Sequence, residues 1–448
     1  MKKNLNLKRG LDLPLAGAIE PGQGAPATAV TSSVAVCPDD YPGFTPKLEV
    51  AEGDTVAKGA AVLHDKTDPS IKLVSPVSGV VKAVVRGARR KIERVVIEPA
   101  ATGLPDVIHQ IDKTDAQSIR MALMHSGLWA MVRRRPYDTI AMTDDVPRDI
   151  FVTAFDSAPL APSLESQVEG MDDRLAAGVE ALKMLTTGHV YISTRPDTTL
   201  GDIPGADMVS VKGPHPAGNP GIQAANIAPV SKGEVIWTLD VVTLARIGSL
   251  ILHGAYPTDV TVAITGSEVL KPCLVRTVIG ADMAGLLDGN LATGDGEKRV
   301  ISGNVLHGAR SSATDGYLRF PYRQVTVIPE GNHAEEFMGW ASMSPKKYSF
   351  YPCFPGHFLH RLFKPDARLH GGRRAMIMSG EYDRVLPMDI LTEYLLKAII
   401  ARDIERMEQL GIYEVAPEDF ALCEYIDASK LEIQHLVREG LEYMRREA

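Results

Sequence analysis

A multidomain α/β protein is the fold class this 448-residue sequence predicts. Three observations carry the expectation. Short β-type runs broken by glycine turns fill residues 45–98, strand and helix patterns alternate over 103–254, and apolar residues recur at helical spacing toward the C-terminus. With 45% apolar content the chain can fill roughly three cores. A net charge of −8 gives no general attraction for phosphate backbones, so no nucleic-acid partner is expected. The basic runs "RGARRK" (86–91) and "VRRRP" (132–136) are expected to be solvated turns.

The first domain, 1–102, holds "TPKLEVAEGDTVAKGAAVLHDK", "IKLVSPVSGVVKAVV" and "RKIERVVIE". The order V-x-E-G-D-x-V-x-x-G, then S-P-x-x-G-x-V, resembles the biotinyl/lipoyl-type barrel-sandwich hybrid. Carriers of that type present one lysine at a hairpin tip, and here the tip is "HDKTDPSIK" with Lys66. Pro69 stiffens this turn and neither carrier motif is complete, so a structural module is expected rather than a carrier.

Residues 103–254 predict a Rossmann-like α/β layer. "RDIFVTAFDSAP" (148–159) is a strand and its loop, and 163–188 is an amphipathic helix with Ser163 as N-cap and Gly188 at its end. "HVYISTRPD" and "ADMVSVKGPHP" supply further strands. Such a layer often binds a nucleotide, yet "GQGAPA" (22–27) contains Pro26 and does not join a strand to a helix, and no Walker A loop occurs. In "GPHPAGNPG" (213–221) the prolines remove backbone donors, and positive φ is expected at some of Gly213, Gly218 and Gly221. Trp129, Arg135 and Tyr137 are expected in the core rather than lining a pocket. The pattern over 255–332 predicts a small β-grasp (SLBB-like) domain. Within 333–448, a C-terminal helical domain, one helix is expected over 386–411 with Gly411 as terminator, and 417–446 is again helical.

No apolar run of about 20 residues occurs, and the basic start lacks a signal-peptide pattern, so a cytoplasmic chain without direct membrane insertion is expected. The cysteines at 37, 273, 353 and 423 form no C-x-x-C pair. His357 and His360 lack a third ligand nearby, so no metal site is expected. No catalytic or cofactor-binding residue is assigned.

The stretch 417–428 keeps the frame of a C-x₂-C-x₂-C-x₃-C-P iron–sulfur loop but retains one thiol, Cys423, with Pro417, Phe420, Asp427 and Ala428 in the other places. Together with "KRGLDLPLAG" (8–17), "SPVSGVVKAVVRGARRKIERVVIE" (75–98), "GPHPAGNPG" and "LCEYIDASK" (422–430), this frame resembles the A-subunit family of the Na⁺-translocating NADH:quinone oxidoreductases over essentially the whole chain. That family is similar to the cluster-bearing C subunit of the Rnf complex and to the flavin-binding subunit of complex I. Cys423, Asp427 and Lys430 fall where the Rnf relative has cysteine, cysteine and lysine. The resemblance implies a cofactor-free subunit held on the cytoplasmic face by partner subunits. Flavins and an iron–sulfur cluster would lie on those partners, and electrons would pass from NADH to ubiquinone while Na⁺ is exported. Ubiquinone is a candidate ligand without a sequence signature in this chain. The alternatives are a soluble flavin or nicotinamide dehydrogenase and a biotin or lipoate carrier.

Overall fold

At the centre of the computed structural model, which describes residues 3–447 except 21, 23, 24, 295, 333–343 and 360, lies a seven-stranded mixed sheet. Its order is Lys3–Asn6, Asp207–Lys212, Val190–Thr194, Asp149–Thr153, Ile236–Asp240, Arg133–Arg135 and Thr139–Ile140. The first five are mutually parallel, Arg133–Arg135 runs antiparallel to them, and Thr139–Ile140 runs antiparallel to Arg133–Arg135. The central strands are apolar on both faces because helices cover both. Ile150 and Val152 join one core with the helices Asp172–Lys183 and Val241–His253, while Phe151 joins the other with Pro220–Ile227 and the C-terminal helices.

The barrel-sandwich hybrid pairs a four-stranded sheet (Val34–Val36, Ile92–Pro99, Gly79–Arg86, Thr55–Val56) with a three-stranded one (Pro46–Leu48, Ala61–Asp65, Lys72–Val74). The β-grasp unit has a six-stranded sheet whose outermost strand is Ala27–Thr28, from far upstream. Strand Lys3–Asn6 likewise closes the edge of the α/β sheet. The N-terminal segment thus stitches onto two units that follow it in sequence.

Three expectations change. The helix expected over 163–188 spans only Asp172–Lys183. Ser163 instead receives the Ser166 amide at 3.2 Å beside a short 3₁₀ turn, and Gly170 at φ +72° interrupts any helical path between them. The single helix over 386–411 is two, Thr392–Ala401 and Ile404–Gln409, parted at Arg402 (φ +54°), because the Asp403 carboxylate caps the second at the Arg406 amide (3.1 Å). "VRRRP" is no solvated turn. It forms an antiparallel strand in which Arg134 and Arg135 are buried, Arg134 pairing with Asp145 at 3.2 Å. The run "RGARRK" is a solvent-facing turn, as expected.

The loop 213–221 positions everything that follows. Only Gly213 has the left-handed backbone foreseen for it (φ +155°). Gly218 and Gly221 are glycine for want of space. A Cβ at Gly218 would sit 2.5 Å from the Ser157 nitrogen, and one at Gly221 would sit 2.1 Å from the Arg135 guanidinium. That guanidinium is held fast, since its Nη1 donates to Asp419 Oδ2 and to the Glu414 carbonyl, each at 2.7 Å. Gly221→Val is therefore expected to destabilise the fold by about 3–5 kcal/mol, the cost of leaving one member of a buried ion pair uncompensated. Chemical denaturation measures it, and an unchanged midpoint would refute the packing account.

Candidate functional site

An open α/β sheet takes its ligand beyond the carboxyl ends of the strands, at the point where the strand order reverses. From Asp149–Thr153 the chain proceeds through Asp172–Lys183 to Val190–Thr194 on one side. It later returns through Pro220–Ile227 to Ile236–Asp240 on the other. At that switch point lies a cavity of about 310 Å³. Thr153, Phe155 and Asp156 come from the first strand's end, Leu239, Asp240 and Thr243 from the second's, and Asn219 and Pro220 from the returning helix. The β-grasp domain adds Asn304, His307, Tyr322 and Arg323, and the C-terminal helices add Glu418, Gln434 and Arg438.

A nucleotide's phosphates would need a free helix N-terminus here. Both are taken. Asp240 caps helix Val241–His253 by accepting the Thr243 amide at 2.7 Å, and Arg323 reaches in from the β-grasp domain to pair with both carboxylate oxygens. Burial opposes the charge on Asp240, but Arg323 and the Thr243 amide outweigh it and hold the carboxyl below its usual value. Helix Pro220–Ile227 starts with Pro220, which has no N–H to offer, and the Asn219 side-chain amide donates to the Glu418 carbonyl at 3.2 Å. Glu418 borders the same space. Burial, reinforced by Asp419, pushes its carboxyl up to about 8, although a side chain 36% exposed lets solvent screen part of that shift. These residues do not fit a flavin or nicotinamide phosphate.

The cluster-shaped loop is equally committed. Cys423 is fully buried, and burial pushes its thiol far above the ordinary range. Asp427, in the fourth ligand's place, accepts the Tyr382 hydroxyl at 2.9 Å and the Ser429 and Leu431 amides at 3.1 and 2.7 Å. Lys430 stands in the left-handed region (φ +57°) that ends this turn. Among the described residues no three His, Cys, Asp or Glu side chains are placed to share a metal ion. His357 faces the Ser349 carbonyl at 3.0 Å, and His360 lies outside the described residues, as does part of 22–27.

Lys66 is exposed at its hairpin tip, but the tip is tied down. Asp65 accepts the Thr45 amide at 2.9 Å and the Thr67 amide at 2.6 Å, and Asp68 accepts the Thr143 hydroxyl of the α/β layer at 2.5 Å. A carrier lysine must swing between sites, and this turn is bonded into its own neighbour. Trp129 is fully buried, its Nε1 donating to the Ala141 carbonyl at 2.8 Å with its ring edge-on to Trp237. Tyr137 packs edge-on against Tyr413, and Arg135 is 1% exposed, so none of the three lines the cavity. Sequence reasoning missed Asp240, Arg323, Glu418 and Asp419, because isolated acids and arginines far apart in the chain carry no motif.

His215 anchors the loop beside the cavity. Its Nδ1 meets Ser157 Oγ at 3.0 Å, the same hydroxyl accepts the Gly218 amide at 2.8 Å, and the His215 amide donates to Asp12 at 2.9 Å. Burial, with a smaller push from His307, brings the imidazole down to about 3. The unfolded chain takes up a proton near pH 6.5 that the folded chain refuses, so this site's stability is complete above that pH and is lost as pH falls toward 3. His215→Asn should remove that dependence. Wild type is expected to lose up to about 1.4 kcal/mol per pH unit relative to the variant between about pH 6 and 4. Urea midpoints of both proteins across that range measure it, and parallel curves would contradict it.

Three family descriptions match in order along the chain: the NqrA N-terminal barrel-sandwich hybrid domain over residues 5–100, the NqrA second alpha/beta domain over 114–256, and the NQRA C-terminal domain over 261–313. The chain is 36% identical to the Na(+)-translocating NADH-quinone reductase A-subunit of Yersinia pseudotuberculosis, across 99% of this chain and 100% of that one. Its counterpart from Pasteurella multocida is 34% identical and that from Vibrio anguillarum 36%, with the same coverage. Similarity of that extent, on a fold whose units follow the matched domains in order, makes this chain a member of the NqrA family, the A-subunits of the Na(+)-translocating NADH-quinone reductases.

Proposed function

We propose that this chain serves as a cofactor-free, cytoplasmic-face subunit of a Na⁺-pumping NADH:ubiquinone reductase, held to the membrane by partner subunits. Flavins and an iron–sulfur cluster on those partners would carry electrons from NADH to ubiquinone, coupled to Na⁺ export. The assembly part rests on the full-length likeness to proteins named as the A-subunit of such a reductase. The cofactor-free part rests on one observation above others: Asp240 and Arg323 fill the helix N-terminus at the switch point, where a phosphate would otherwise be held. The cluster-shaped loop supports the same reading, since its remaining thiol is sealed in the core and its fourth position is a fully bonded carboxylate. Among the described residues no helix is long and apolar enough to cross a membrane, so attachment through other chains fits the proposal.

Purified protein is expected to show no flavin band near ~450 nm and no stoichiometric iron. Cys423→Ser should leave folding and complex activity close to wild type, because a lone buried thiol acts as a small hydrophobe. A flavin spectrum, or iron lost with that substitution, would replace this reading with a redox-active one. Attachment through an apolar protein interface of roughly 2,000 Å² or more, centred on 255–448, should survive a wash of membranes in about 1 M NaCl, where the Debye length is about 3 Å. Quantitative release at that step would mean that charge pairs dominate the hold.

A further inference from the structure

Between the β-grasp sheet and the C-terminal helices, residues 344–359 and 361–378 form a lobe whose only regular element among the described residues is the 3₁₀ turn Pro355–Phe358. In a chain of net charge −8 this stretch carries seven lysines and arginines against one acid, Asp366. Several of its apolar residues are turned outward, Phe358 being 69% exposed and Leu362 64%. The lobe has a definite shape. Phe363 is buried and bonds in register with the N-terminal segment, its amide donating to the Pro14 carbonyl at 2.8 Å and its carbonyl accepting the Ala16 amide at 2.9 Å. That anchor leaves the flanking Leu362 and Lys364 on the outside. Tyr348 packs on the Phe363 ring, and Arg361 donates to the Pro345 carbonyl, which brings Lys346 alongside. Lys346, Arg361 and Lys364 are exposed and have no carboxylate partner among the described residues.

We propose that this lobe contacts an anionic lipid surface, with Phe358 and Leu362 entering the headgroup boundary while Lys346, Arg361 and Lys364 meet lipid phosphates. The pattern favours a bilayer over a protein partner. Protein interfaces keep charge out of their apolar centre and are depleted in lysine, whereas here each exposed apolar side chain stands within a few residues of a cation. Apolar groups interleaved with cations are what the headgroup region of an anionic leaflet accommodates. A protein of net negative charge is repelled by such a leaflet, so close approach requires a local surplus of cations, and this lobe supplies one. The contact goes beyond the assembly proposed above and is tested without partner subunits, so either can fail alone.

Full-length protein would be centrifuged with vesicles of phosphatidylcholine, alone or mixed with phosphatidylglycerol. Binding is expected only to the mixed vesicles, with release in about 1 M NaCl. Each cation near an anionic bilayer contributes about a five-fold factor, so Lys346→Ala with Lys364→Ala should weaken partitioning roughly thirty-fold. Phe358→Ser with Leu362→Ser should weaken it as well, with an unchanged thermal midpoint, since both side chains already face solvent. Absence of binding to the mixed vesicles, equal binding to both kinds, or variants that bind like wild type would overturn the proposal. Variants that keep vesicle binding but fail to assemble with partner subunits in lipid-free detergent would reassign the lobe to a protein interface.

Discussion

The ion pair between Arg135 and Asp419 is the contact on which the arrangement of the molecule turns. It joins an antiparallel strand of the central sheet to the 3₁₀ turn Pro417–Phe420 within the C-terminal domain, and neither side chain sees solvent. Burial works against the charge on Arg135, yet Asp419, Asp138 and Glu418 raise its proton affinity above the ordinary arginine value. Such a pair gives little net stability over a well-packed apolar contact, but it tolerates no partial version. Its geometry dictates glycine at 221, fixes the turn 412–420 against the sheet, and so sets the wall that Glu418 contributes to the switch-point cavity. Asp419 also accepts the Ala416 amide at 2.9 Å, which orders the turn that presents it.

This accounts for a cluster-shaped frame that keeps a single thiol. A loop able to aim thiolates at one point is short, sharply turned and rigid, and those properties are equally useful for aiming carboxylates. Asp419 faces the sheet, Asp427 ties Tyr382 and two backbone amides together, and Phe420 and Cys423 fill the interior between them. Charge-assisted hydrogen bonds from these two carboxylates hold the turn together.

The barrel-sandwich hybrid, the α/β alternation and the β-grasp unit were legible because each rests on local periodicity: two-residue alternation between glycine turns in the first, strand-to-helix switching in the second. The lone Cys423 was legible because ligand spacing is a sequence property. The helix limits near 170 and 402 were not, since a left-handed glycine and a capping aspartate interrupt patterns that look continuous. The candidate site was illegible for a different reason. Arg135 and Asp419 are 284 residues apart, and Arg323 and Asp240 are 83 apart. In sequence a buried, paired arginine looks the same as a solvated one, so "VRRRP" reads as a surface turn although it is a strand of the central sheet.

The two upstream edge strands bear on how the chain can be made. Residues Lys3–Asn6 and Ala27–Thr28 leave the ribosome well before their partners, Val209–Lys212 and Val275–Arg276. The barrel-sandwich hybrid has its own two sheets and can close early during synthesis. The strands that precede it must wait unpaired until those distant partners have emerged, which is the slow, high-contact-order step of such a topology. Their composition suits the wait: "KNLN" and "AT" are short, with Leu5 the one sizeable apolar side chain between them, and so are poor templates for pairing with the wrong strand. Nascent-chain order, as much as final packing, thus constrains what these two edge strands can be.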